Sequence, residues 1–200
     1  MYARSIMFHG RPDNIDAGIR FVQTDAEPML DKIEGCRGLA MLADRETGQC
    51  IVTSSWESEA VMLASDEQLR PLRDRGRDIL GGSMQVDEWE IAVMHRTQHG
   101  ECCRVSWLQG APDAMTEALR ELVLPRLAHT RGFCSASLLV NRSTGLGCAT
   151  TAWESRAAMQ ASRSAADDMR TSTATAAGGE ILEVHEFDLV HAHLHVPQMT

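Results

Sequence analysis

The feature that most constrains this chain is a register shared by its two halves. Asp44-Arg45-Glu46-Thr47-Gly48 returns as Asn141-Arg142-Ser143-Thr144-Gly145, and Trp56-Glu57-Ser58 returns at the same offset as Trp153-Glu154-Ser155. Pro28/Pro125, Gly35/Gly132, Arg73/Arg170 and Gly81-Gly82/Gly178-Gly179 keep that offset. A three-residue slip aligns Gly10-Arg11-Pro12-Asp13 with Gly110-Ala111-Pro112-Asp113, and Arg4 with Arg104. One more slip near the end pairs Trp89 with Phe187 and His95 with His193. Chance does not hold a register through so many turns and helices. The chain is two copies of one module, 1–98 and 101–198, with a short polar link from Thr97 to Glu101.

Each copy reads as strand, helix, strand, strand, helix, strand. Arg4 to His9 is β-compatible and runs into a Gly-x-Pro-Asp turn, where Asp13 is expected to cap a helix and Pro12 to fit its first turn. Ile15, Ile19, Val22, Ala26, Met29 and Ile33 then recur at helical spacing. Pro28, matched by Pro125, should kink or split that helix. Leu39 to Ala43 and Cys50 to Trp56 form a hairpin about the Asp44 to Gly48 turn. Ser58 caps a second helix that runs to about Leu80 and stops at Gly81-Gly82. Gln85 to His95 is the last strand. The weakest helix is the Ala/Ser/Thr stretch Ala161 to Ala177, which has few large apolar side chains.

A βαββαβ module places both helices on one face of a four-stranded sheet. Leu39, Met41 and Ala43 alternate with Ala40 and Leu42, so neither face of that strand is polar and both need cover. A second copy in the same chain can supply it. The net charge of −9 and the near absence of lysine argue against a nucleic-acid or anionic-membrane surface. Lys32 is the only lysine and Tyr2 the only tyrosine, which confines Schiff-base or tyrosyl chemistry to those two positions. No apolar run approaches the roughly 20 residues of a membrane span, and Met1 to Phe8 lacks the pattern of a signal peptide. Six cysteines without metal-type spacing are expected to be reduced and mostly buried, in a cytoplasmic protein.

The βαββαβ order, the hairpin ending in Trp-Glu-Ser and the helix that follows resemble the antibiotic biosynthesis monooxygenase-like proteins of the dimeric α+β barrel superfamily. The resemblance covers nearly the whole chain, twice. It implies an α+β fold in which two ferredoxin-like modules make, within one chain, the barrel that two subunits normally make. It also implies a cofactor-independent monooxygenase of an aromatic or polyketide-like molecule, whose substrate carbanion reduces O₂ without flavin or metal. A non-catalytic barrel holding a small apolar ligand is the alternative. The haem-degrading members share a tryptophan at Trp56 and Trp153, but also carry a histidine in the second helix and an asparagine on the first strand. Neither copy has either residue, so the resemblance does not extend to haem degradation.

Several residues could carry chemistry. Trp56 and Trp153 sit where a strand feeds a helix, and their rings either close the core or line a ligand pocket. Trp107 stands where the first copy has Met7 and should make the two pockets unequal. His95 and His193 are equivalent and are candidate general bases. His191, His193 and His195 alternate on one face of the last strand, either as solvated imidazoles or as ligands for a zinc-like ion that needs a further ligand. Glu88 and Glu90, with Glu186 and Asp188, lie near Arg4 and Arg104 in this topology and are expected to pair with them across strands, or else to bind a polar substrate. The expected partner is a small apolar or aromatic molecule, with no nucleic acid and no membrane. Exposed helix faces leave room for a homodimer of the pseudo-dimer.

Overall fold

The structure is a computed structural model describing residues 1–176 and 178–199. The first half contains β1 (Tyr2–His9), α1 (Ile15–Phe21), α2 (Glu27–Leu30), β2 (Cys36–Ala43), β3 (Gln49–Trp56), α3 (Glu59–Ala64), α4 (Asp66–Leu80) and β4 (Ser83–Arg96). The second repeats the order as β5 (Cys102–Gln109), α5 (Pro112–Ala118), α6 (Leu124–Leu127), β6 (Phe133–Asn141), β7 (Leu146–Trp153), α7 (Arg156–Ala161), α8 (Arg163–Ala176) and β8 (Glu180–Leu194). The alanine-rich stretch is therefore helical as far as Ala176, and its last residue, Ala177, lies outside the described residues.

The prolines act where the sequence suggests. Pro28 and Pro125 each sit in the first turn of a short helix, α2 or α6, and a π-helical segment precedes each, Val22–Ala26 and Leu119–Val123. A proline nitrogen has no hydrogen to return to the carbonyl four residues back, and its ring crowds that carbonyl, so the helix widens there. The entry to the first helix differs from expectation. Arg11, not Asp13, is the N-cap of a 3₁₀ turn over Pro12–Asn14, and Asp13 lies inside that turn.

The second helix of each copy is capped by serine: Ser58 Oγ accepts from the Val61 amide at 3.3 Å and Ser155 Oγ from the Ala158 amide at 3.2 Å. It then divides at Ser65 and Ser162, a break not foreseen. Ser65 Oγ donates to the Met62 carbonyl at 2.7 Å and Arg4 Nη2 donates to the same oxygen at 3.1 Å. Ser162 and Arg104 treat the Met159 carbonyl likewise, both at 2.7 Å. Gly81 ends α4 at φ 76°. Beside it, a Cβ on Gly82 would stand 1.8 Å from the His9 carbonyl oxygen, so only glycine lets β1 and this turn approach.

The chain forms two compact units whose boundary cuts through the two long strands. Unit 1 is Met1–Trp89 with Asp188–Val196; unit 2 is Glu90–Phe187 with the residues from Pro197 on. Each unit therefore takes the second half of the other copy's last strand. In unit 1 the strand order is β4-β1-β3-β2-β8, and in unit 2 it is β8-β5-β7-β6-β4. The order of all eight closes on itself, the hydrogen-bonding topology of an α+β barrel. Antiparallel ladders set the register, with Arg4 opposite Ser54 and Arg104 opposite Thr151.

Each core lies between a sheet and its helices. Unit 1 packs Ile15, Val22 and Leu30 against Leu39, Met41 and Trp56. Unit 2 packs Met115, Leu119 and Leu127 against Leu138, Val140 and Trp153. A buried arginine pierces each core. Arg104, 2% exposed, donates from Nε and Nη2 to Glu186 Oε1 at 3.0 and 2.8 Å, and from Nη1 to Ser162 Oγ at 3.1 Å. Arg4 makes the same set with Glu88 at 3.1 and 2.6 Å and Ser65 at 3.4 Å. The cross-strand reading of these charges is the structural one: each pair ties the last strand of a copy to its first. Glu90 goes elsewhere, to Arg142 at 2.5 Å.

Replacing one partner of such a pair leaves a buried charge uncompensated. Glu186→Gln is expected to lower the unfolding free energy by about 3 kcal/mol in urea denaturation. Glu88→Gln should cost less, since Glu88 is 39% exposed and Asp66 stands 3.5 Å from the same guanidinium. Burial pushes the Glu186 carboxyl up, but hydrogen bonds from Arg104 and Arg163 outweigh it and hold the group below its ordinary value. Its contribution is therefore complete above the unfolded carboxylate range near pH ~4 and is lost as pH falls through the lower folded value. Glu186→Gln should flatten that acid limb of the stability–pH curve.

Candidate ligand site

Between the sheet and helices of unit 2 lies a cavity of about 100 Å³. Strand alternation builds its floor: Arg104, Ser106 and Leu108 point into it from β5, joined by Ala149, Thr151 and Trp153 from β7 and Leu138 from β6. Met115, Leu119, Val123 and Leu127 form the wall from α5 to α6, and Ala166, Met169, Arg170 and Ala174 form the wall from α8. The lining is mostly apolar, and Arg104 and Arg170 are its neighbouring cations. Glu180, an exposed residue at the start of β8 beside Gln109, is its acidic side chain, toward the other end of β5 from Arg104. Arg170 contacts Asp167. Burial draws the Arg170 guanidinium below its ordinary value, against the pull of Asp167 and helped by nearby Arg104.

Unit 1 has the equivalent cavity, about 60 Å³, with Arg4 and Arg73 in the same roles. The two linings carry different side chains at matching positions. Phe8, Val52 and Leu69 line the smaller cavity where Leu108, Ala149 and Ala166 line the larger. Arg73 is 9% exposed and donates from Nη2 to Asp66 at 2.7 Å, while its Nη1 is buried with no partner among the described residues. A buried guanidinium nitrogen left in that state favours an acceptor from outside the protein.

The structure distributes the sequence-derived candidates unevenly. Trp153 lines the unit 2 cavity, its Nε1 donating to Thr151 Oγ1 at 3.1 Å. Trp56 is fully buried, donates to Ser54 Oγ at 3.0 Å and is not part of the unit 1 lining. Trp107 does not line the cavity, because it alternates with Arg104, Ser106 and Leu108 and faces the opposite side of β5, edge-on to His185 at 5.7 Å. The linings differ instead at matched positions such as Phe8/Leu108, Val52/Ala149 and Leu69/Ala166. Neither histidine proposed as a base reaches a cavity: His95 stacks on Phe133 at 6.2 Å, and His193 Nδ1 lies 3.2 Å from Glu27. His191, His193 and His195 do not converge on one point. His191 Nε2 lies 3.0 Å from Glu27 and His193 Nε2 lies 3.0 Å from His195 Nε2. Arg73 and Arg170 were visible as a repeat pair, but only the fold carries them to the cavity end. The six cysteines are reduced and five are buried; burial pushes Cys50 and Cys103 up to about 12, which leaves no thiolate nucleophile there at neutral pH.

Copying the unit 1 side chains into unit 2 tests the cavity. Ala149→Val with Ala166→Leu should lower affinity for a cavity ligand by about tenfold or more, roughly 1.4 kcal/mol. Stability should stay within about 1.5 kcal/mol, since the added groups fill existing space. Ligand titration and thermal unfolding of the double variant check both.

Residues 1–67 match the family pattern described as antibiotic biosynthesis monooxygenase. Over the full chain, two uncharacterized proteins of Mycobacterium tuberculosis strain H37Rv are similar. Rv2557 is 39% identical over 205 residues, spanning 100% of this chain and 92% of its own length. Rv2558 is 40% identical over 208 residues, spanning 100% of this chain and 87% of its own length. Among solved structures, an anthrone oxidase-like protein superposes with a TM-score of 0.67 at 14% identity, covering 97% of this chain and 93% of that one, a likeness of fold. Among the described residues no helix is long and apolar enough to cross a membrane. With the repeated βαββαβ order, the closed strand order and the paired cavities, these matches make the chain a member of the antibiotic biosynthesis monooxygenase-like family, in a form that carries the module twice.

Proposed function

We propose that the unit 2 cavity binds a small apolar or aromatic molecule bearing one acidic oxygen, and that it oxygenates this molecule without a cofactor. The observation that carries the reading is a mostly apolar cavity lined by two neighbouring guanidinium groups, Arg104 and Arg170. A phenolate or enolate oxygen placed there gains charge-assisted hydrogen bonds, while the ring system fills the space along Leu119, Leu127 and Trp153. Preorganised positive charge lowers the barrier to forming such an anion.

In this reading the substrate loses a proton from carbon, with Glu180 as acceptor, and the electron pair remains on the ring system. The carbanion passes an electron to O₂, the radical pair joins as a peroxide, and water leaves to give a carbonyl. One oxygen atom ends in the product and the other in water. A base role for His95 or His193 gains no support from their positions, and Glu180 takes that place. Anthrone-like molecules are the natural first substrates, in keeping with the fold shared with an anthrone oxidase-like protein. Reduced, mostly buried thiols support a reducing compartment, and we assign the protein to the cytoplasm on that ground.

A second reading, ligand binding without turnover, is favoured by the single acidic side chain in the lining. Oxygen uptake with a hydroxylated anthrone separates the two. The enzyme reading predicts uptake matched one to one by quinone, a kcat about 10²-fold lower in Glu180→Gln, and a raised KM in Arg170→Gln. Saturable binding with no uptake above the spontaneous rate would establish the second reading. Absence of both would sink the ligand assignment.

A further inference from the structure

Unit 1 holds a cluster that the cavity chemistry does not use. Glu27 and Asp31 stand one turn apart, the Asp31 amide donating to the Glu27 carbonyl at 2.9 Å, so their carboxylates share a helix face. The strand β8 brings His193 to that face, and one ligand atom from each of Glu27, Asp31 and His193 falls within 4.8 Å of the others. His193 Nδ1 is 3.2 Å from Glu27 Oε1, and His191 Nε2 is 3.0 Å from Glu27 Oε2.

We propose that Glu27, Asp31 and His193 form a binding site for a divalent transition-metal ion of the zinc type. One imidazole and two carboxylates suit a borderline ion such as Zn²⁺ better than Ca²⁺ or Mg²⁺, which prefer oxygen alone. Ligand bonds of about 2.0–2.2 Å in a tetrahedron put ligand atoms about 3.3 Å apart. Rotations of Asp31, which is exposed, and of Glu27 close the remaining distance. The neighbouring His195 bears on the tautomer of His193. Of the two Nε2 atoms 3.0 Å apart, one must donate to the other. When His193 donates to His195, its Nδ1 lone pair faces the Glu27 carboxylate, and a shared cation reconciles the two. His191 Nε2 stands 3.0 Å from the second Glu27 oxygen, in contact with it but without hydrogen-bond geometry.

The duplication supplies an internal comparison. In the second copy the positions of Glu27 and Asp31 are Leu124 and Ala128, and those of His191 and His195 are Val93 and Thr97. His95, the counterpart of His193, stacks on Phe133 instead. Two acids and two extra histidines thus gather about one histidine of the pair and not about the other.

The test uses untagged full-length protein freed of metal with a chelator, titrated with Zn²⁺ by calorimetry and with Co²⁺ by absorption. The expected result is one ion per chain, with affinity reduced at least about tenfold in Glu27→Gln, Asp31→Asn and His193→Gln, and unchanged in His95→Gln. Far-UV circular dichroism screens each variant, and exposed Asp31→Asn provides the decisive case where another variant misfolds. No stoichiometric ion would overturn the proposal. So would a Co²⁺ spectrum with a strong thiolate band, or binding that survives both Glu27→Gln and Asp31→Asn.

Discussion

A buried guanidinium on the first strand of each copy is the interaction on which the rest depends. Arg104 lies within an apolar core, where an unpaired charge could not stay. Its position therefore requires Glu186 on the last strand, the Ser162 hydroxyl and the Met159 carbonyl to meet at one point. That requirement fixes the distance between strand and helix, divides the helix at Ser162 and holds open the end of the cavity. Arg4 imposes the same on Glu88, Ser65 and Met62. The motif survived duplication in both copies, as a charged core does when every member constrains the others.

The positions around that frame were free to diverge. Phe8, Val52 and Leu69 of one cavity give way to Leu108, Ala149 and Ala166 in the other, and both cavities keep their arginines. On another face, acids and histidines accumulate at the site of Glu27 and His193, while the counterparts of the two acids are Leu124 and Ala128. A fused pair allows such division because a change in one copy is not forced on the other, as it is in a symmetric homodimer.

Much of the fold was legible because repetition doubles every signal. Serine caps, glycine stops and the proline-marked break appear twice at one offset, and each reflects a local backbone demand that its residue meets alone. The site was less legible. Strand alternation shows that Trp107 and Arg104 face opposite ways, yet does not tell which face meets the helices. Nor does spacing reveal that Arg170, on a helix, points toward Arg104 on a strand. The histidines of β8 invited a metal site that needed a further ligand, and Glu27, distant in sequence, meets two of them, His191 and His193.

By itself the sequence determined the duplicated module, the order of its elements, and the caps and breaks within them, because these depend on neighbours along the chain. Tertiary structure alone decided that each long strand serves two compact units, that the arginines gather at one end of a cavity, and that a histidine meets two carboxylates. Those outcomes depend on which faces pack and on how side chains far apart in sequence share the space between sheet and helix. Local propensity carries no record of that.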